Sequence, residues 1–125
     1  MWSLGESNDF EHNRRRYSSA NPDAFAAVLT NLERYFRLLH VTTGGKQIEA
    51  SYLHHTKDDI VIVNQAGLES FGEDFKIYTF ADHSTKTLYL LTLAAKADPE
   101  NADMEYCRNV IYSIKTKNIP RGTAS

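Results

Sequence analysis

Cysteine occurs once in this 125-residue chain, at Cys107, so neither an internal disulfide nor a multi-cysteine zinc site can form. A single thiol fits a reducing compartment, and the expected location is the cytoplasm. Long apolar runs are missing: none approaches the roughly 18 residues that a membrane helix needs. The polar start also lacks the apolar stretch of a signal peptide. There is no basic surplus, since 14 Lys+Arg face 16 Asp+Glu for a net charge of −2. A protein that lives on nucleic acid usually carries such a surplus or a dense local patch. Only a patch remains open here, because affinity follows the phosphates actually neutralised. Repeats and low-complexity segments are absent. His54-His55 is the one adjacent histidine pair, and no third ligand stands at metal-binding spacing, so neither metal nor cofactor is expected.

What is present is an ordinary globular composition, 42% apolar and 24% charged, on a chain long enough for one domain with one core. Residues 1–20 read as a polar, irregular arm whose densest charge is Arg14-Arg15-Arg16, beside Tyr17. Asn21-Pro22-Asp23 opens a helix: Asn caps orphan N–H groups, Pro suits the first helical position, and Asp meets the positive end of the dipole. Phe25, Val28, Leu29, Leu32, Phe36 and Leu39 recur at helical spacing along one face. Thr42-Thr43-Gly44-Gly45 ends the helix.

Gln47 to His55 contains a short strand, and Lys57-Asp58-Asp59 a turn. Ile60-Val61-Ile62-Val63 is short and β-branched, as a buried strand is. Gly67 to Gly72 connects it to two further strands, Phe75 to Ala81 and Thr87 to Ala94, joined by the polar turn Asp82-His83-Ser84-Thr85. The second is apolar on both faces, which places it centrally. Asp98-Pro99 starts a last helix, with Met104, Cys107, Val110, Ile111 and Ile114 as its stripe. The domain therefore spans residues 21–116, with a flexible tail at 117–125. Short connections demand antiparallel pairing. The expectation is an α+β fold: a three- to four-stranded, mostly antiparallel sheet packed with an N-terminal and a C-terminal helix.

Four segments carry a resemblance. YSSANPDAFAAVLTNLERYFRLL, IVIVNQAG, FKIYTFADHSTKTLYLLTLAAK and DMEYCRNVIYSIK, taken in this order, resemble the RelE/ParE superfamily of toxins from bacterial toxin–antitoxin pairs, particularly its HigB-like branch. The resemblance implies a RelE-like fold and a metal-independent endoribonuclease that cuts mRNA at the ribosome. It implies an antitoxin protein as partner and no membrane association. It also implies site residues. Lys76 matches a strand position often held by arginine, Lys96 the lysine that closes the hairpin, and Tyr106 the region where some members carry a catalytic tyrosine. Arg14, Arg15, Arg16, Gln65 and Tyr78 join as expected RNA contacts, through charge, hydrogen bonding and stacking. The chain departs from the pattern in its acidic overall charge, in Lys76 standing where arginine is frequent, and at two further places. The strand IVIVNQ carries no Lys or Arg, and the hairpin closes as Ala94-Ala95-Lys96. These departures keep an alternative in view: a non-catalytic protein-interaction module on the same scaffold.

Overall fold

Residues 3–20 carry regular structure, and Trp2 and Phe10 lie in the core. In the computed structural model, which describes residues 2–42, 48–56, 58–65, 75–95 and 100–124, β1 (Ser3–Glu6) leads into α1 (Asn8–Ala20). Side chains of 95, 100–102 and 117–124 are not described. The polar arm expected there is corrected for a physical reason. Ser7 caps α1, its hydroxyl accepting from the Phe10 N–H at 3.0 Å, and Asp9 and Glu11 sit in the first turn, where the dipole favours them. Phe10 is the only buried residue of this helix. One anchor leaves no periodic stripe to detect.

α2 (Pro22–Val41) follows as expected, with Asn21 capping through Ala24 N–H and Pro22 at its start. Its buried face includes Phe25, Val28, Leu32 and Leu39. Then come β2 (Leu53–His55), β3 (Ile60–Asn64), β4 (Phe75–Asp82), β5 (Thr87–Ala95) and α3 (Glu100–Ala124). Backbone expected as a flexible tail from 117 is helical through Ala124. The glycine stop at 43–45, the connection at 67–72, Lys96 and the Asp98-Pro99 start lie outside the described residues.

Among the described residues the sheet has five strands in the order β1-β5-β4-β3-β2. β1 runs parallel to β5; the other pairs are antiparallel. Thus the sheet is mixed, and larger than the three or four strands expected, because β1 adds an edge. The short hairpin between β4 and β5 sets their antiparallel register. Tyr78 faces Thr92 while Thr79 faces Leu90, so Leu91 is the extra residue of a β-bulge.

Both faces of the sheet are covered, which explains strands apolar on both sides. On one face, Val61, Val63, Phe75, Ile77, Leu88, Leu90 and Leu93 pack with Phe10 of α1 and the stripe of α2. On the other, Ile60, Ile62, Tyr78, Phe80, Leu91 and Ala94 pack with Met104, Cys107 and Ile111 of α3. The protein is a small α+β domain in which three helices pack against a mixed sheet. Among the described residues no helix is long and apolar enough to cross a membrane.

Candidate functional site

Lys76 sits near the start of β4, opposite Asn64 and Ala94, on the side of the sheet that α3 covers. It is half-buried, and its ammonium lies 5.9 Å from the centroid of the Tyr78 ring. An ammonium over an aromatic face is held by the ring quadrupole while its head stays hydrated. Tyr106 projects from α3 toward the same layer, packing against the cluster that contains Tyr78. Partial burial raises the pKa of its phenol. A hydrogen bond with Ser7 opposes this, and the negative charge of Asp9 reinforces it. The phenol is therefore protonated at neutral pH and can donate.

Sequence reasoning missed the group around it. Ser7 donates to the Leu91 carbonyl at 2.5 Å, and Asn13 donates to Leu93 at 3.1 Å. Asp9 accepts from the Thr92 hydroxyl and from Asn13. These residues stitch α1 to the bulged half of β5, beyond the end of β1, and satisfy carbonyls a sheet edge would leave exposed. A signal was there: Ser7 followed by Asp9 and Glu11 is a helix-start pattern.

Two expected RNA contacts are corrected. Tyr78 is fully buried between sheet and α3, so its ring is no platform for a base. Gln65 is also fully buried, its side-chain oxygen accepting the Phe75 N–H at 2.9 Å. A buried side-chain oxygen that accepts a strand N–H is a structural fastening. The arginine run is dispersed by the helix, since neighbours on a helix point about 100° apart. Arg14 lies 3.6 Å from Glu6, Arg15 pairs with Glu11 at 2.8 Å, and Arg16 stands 5.5 Å over the Tyr17 ring. Lys96 lies outside the described residues.

Cys107 is buried on the sheet-facing side of α3. Desolvation pushes its thiol up to about 12, with Asp103 and Asp9 adding to the rise and Arg108 opposing it. A thiol so placed is core, not nucleophile. Among the described residues no group of three or more His, Cys, Asp or Glu is arranged to hold a metal ion.

A cleft of about 420 Å³ opens at the other end of the sheet. From Lys76 to Asp82 the strand spans seven residues, about 20 Å at the ordinary rise. The cleft lies between the end of β4, the start of β3 and the last turns of α2, with Lys115 of α3 at its edge. His55 is half-buried there and donates from Nε2 to the Ile48 carbonyl at 2.6 Å, while His54 is exposed. His83 also lines it, edge-on to Trp2 with ring centroids 5.1 Å apart. Asp82 accepts from the Ser84 N–H and hydroxyl at 3.0 and 2.6 Å. Burial raises the Asp82 carboxyl, but hydrogen bonds from Ser84 and Thr85 together outweigh it and hold it below the usual carboxylate value.

Comparison of the chain with protein-family models, curated proteins and solved structures finds no match.

Proposed function

We propose that this chain is a RelE/ParE-type toxin of the HigB-like branch, which cleaves mRNA at the ribosome without a metal ion and is neutralised by an antitoxin protein. The observation that supports it is the placement of Lys76 and Tyr106 on the same side of the sheet, one from β4 and one from α3. Cleavage by attack of a 2′-hydroxyl on the adjacent phosphate needs positive charge for the developing phosphorane and an acid for the leaving 5′-oxygen. In this reading Lys76 supplies the charge, as a point cation rather than a fork. Tyr106, a phenol protonated at neutral pH, supplies the acid. Lys96 is the second cation on the strength of the sequence resemblance alone.

A second reading is the non-catalytic interaction module. Three observations favour it: Tyr78 and Gln65 are buried, Arg14 and Arg15 face carboxylates, and β3 carries no basic residue.

Expression of the chain alone in a bacterial host separates the two. The toxin reading expects growth arrest with fragmented mRNA, both relieved by Lys76→Ala and by Tyr106→Phe at equal soluble yield. Normal growth with intact mRNA at confirmed soluble expression sinks it and leaves the interaction module.

A further inference from the structure

The cleft at the far end of the sheet has a lining of mixed character. Its inner wall is apolar, built from residues such as Leu39, Val61 and Ala81. Its rim carries both signs of charge, the Asp59 carboxylate and the Lys115 ammonium, and the His83 imidazole as a further polar group. Lys115 is exposed, and its Nζ stands 5.5 Å from the centroid of the Phe80 ring, so the ammonium is parked at the cleft wall. Asp82, already bonded by Ser84, belongs to its own turn. Because His55 donates from Nε2, its Nδ1 is left as an acceptor in the neutral ring.

This lining discriminates among ligands. A simple anion meets the Asp59 and Asp82 charges, and a simple cation meets Lys115. A wholly apolar molecule strips water from the rim without replacing its hydrogen bonds. A small zwitterion such as a free amino acid leaves the apolar wall uncovered. The volume falls within the roughly 300–1,000 Å³ of small-molecule sites. What satisfies wall and rim together is a flat ring bearing N–H donors, with an anionic group at the other end.

We infer that this cleft binds a nucleoside monophosphate, with an amine-bearing base against the apolar wall and donating toward Asp59 and His55, and the phosphate on Lys115 and His83. The inference is independent of the ribonuclease reading, since the cleft shares no residue with Lys76 and Tyr106.

The test is an amide-resolved NMR titration of the full chain with AMP and with CMP, compared with adenosine and with inorganic phosphate. AMP or CMP is expected to move the Thr56, Ala81 and His83 amides, and adenosine or phosphate alone to bind about tenfold more weakly. Lys115→Ala is expected to weaken AMP binding roughly threefold to tenfold and to leave adenosine unaffected. Asp59→Gly, which keeps the left-handed backbone at φ 63°, is expected to weaken adenosine. Absence of cleft shifts at millimolar mononucleotide overturns the inference, as does unchanged AMP affinity in Lys115→Ala with a native spectrum. Arg37→Ala, at an exposed position of α2 outside the cleft lining, serves as control and leaves AMP binding intact. Failure here is thus separate from failure of the growth-arrest assay.

Discussion

Cys107 and Tyr35 show how single buried groups set a pH limit on this molecule. Burial pushes both up to about 12, from ordinary values of 9.0 for the thiol and 10.0 for the phenol. Each is an acid whose folded pKa lies above its unfolded one, so its neutral form is favoured in the fold. Their contribution is fully present below pH 9 and is lost between pH 9 and about 12, as the unfolded chain ionises first. Urea midpoints measured from pH 7 to 11 are expected to fall with rising pH. A Cys107→Ala, Tyr35→Phe double variant, although less stable at neutral pH, is expected to show a shallower decline. An equally steep decline assigns the loss to other groups. Cys107 in the native protein is likewise expected to resist a thiol reagent until the chain unfolds, which a timed labelling experiment reads directly. At the same scale, Gly5 is required by close approach. A Cβ placed there would lie 2.9 Å from Tyr89 Cδ1, and that ring is stacked on Phe80. Gly5→Ala is therefore expected to lower stability by about 1 kcal/mol, seen as a drop in Tm. Lys86, at φ 54° in the turn between β4 and β5, is the opposite case. Lys86→Gly removes a Cβ clash that costs roughly 1 kcal/mol, and Tm should hold or rise.

The elements whose roles are least obvious are β1 and α1. β1 pairs with β5 from Ser3 to Glu6, and α1 continues along β5 through the hydrogen bonds of Ser7 and Asn13 to Leu91 and Leu93. Together they close an edge that would otherwise present a row of unpaired carbonyls and amides. Phe10, 1% exposed, locks this unit into the same core as α2. Phe10→Ala is expected to cost about 3–5 kcal/mol, and removal of residues 1–20 to abolish cooperative unfolding in circular dichroism. A truncated chain that melts as sharply as the intact one would make β1 and α1 dispensable. α3 is held differently. Met104, Cys107 and Ile111 seat it on the sheet, and Arg108 reaches Asp58 at 3.0 Å beside the start of β3. That pair is largely exposed, so its loss is expected to cost under 1 kcal/mol, and packing sets the helix position.

At the scale of the whole molecule, β4 and β5 are common to both cores. Phe75 and Ile77 point into one and Tyr78 and Phe80 into the other, and Leu93 and Ala94 divide in the same way. Loss of either helical layer therefore strips one side of the same central strands. Unfolding is expected to be a single transition. Trp2, buried against His83 at the N-terminal end, gives a second probe. Its fluorescence transition should coincide with the far-ultraviolet one. An earlier fluorescence change would mean that β1 leaves before the rest.

Local pattern decided a great deal. α2 was legible from its Asn-Pro-Asp start and its stripe. β3, β4 and β5 were legible from β-branched and apolar runs around a polar turn, and the stripe of α3 from Met104, Cys107 and Ile111. Each of these signals sits within a window of a few turns or one hairpin, where side-chain period and backbone preference act together. The single cysteine, the absence of long apolar runs and the charge balance were likewise settled by the sequence. Tertiary structure alone decided the rest. Nothing local tells β1 to lie parallel to a strand more than eighty residues away, or α1 to cling to the sheet by one phenylalanine and a few polar side chains. Nor does local pattern say that helices cover both faces. It could not show that Tyr78 and Gln65 point inward, because an aromatic at a strand position reads the same whether a helix or water lies above it. The far cleft joins residues from α2, β2, β3, β4 and α3. No spacing in the chain announces it, since it exists only where the ends of separately coded elements meet.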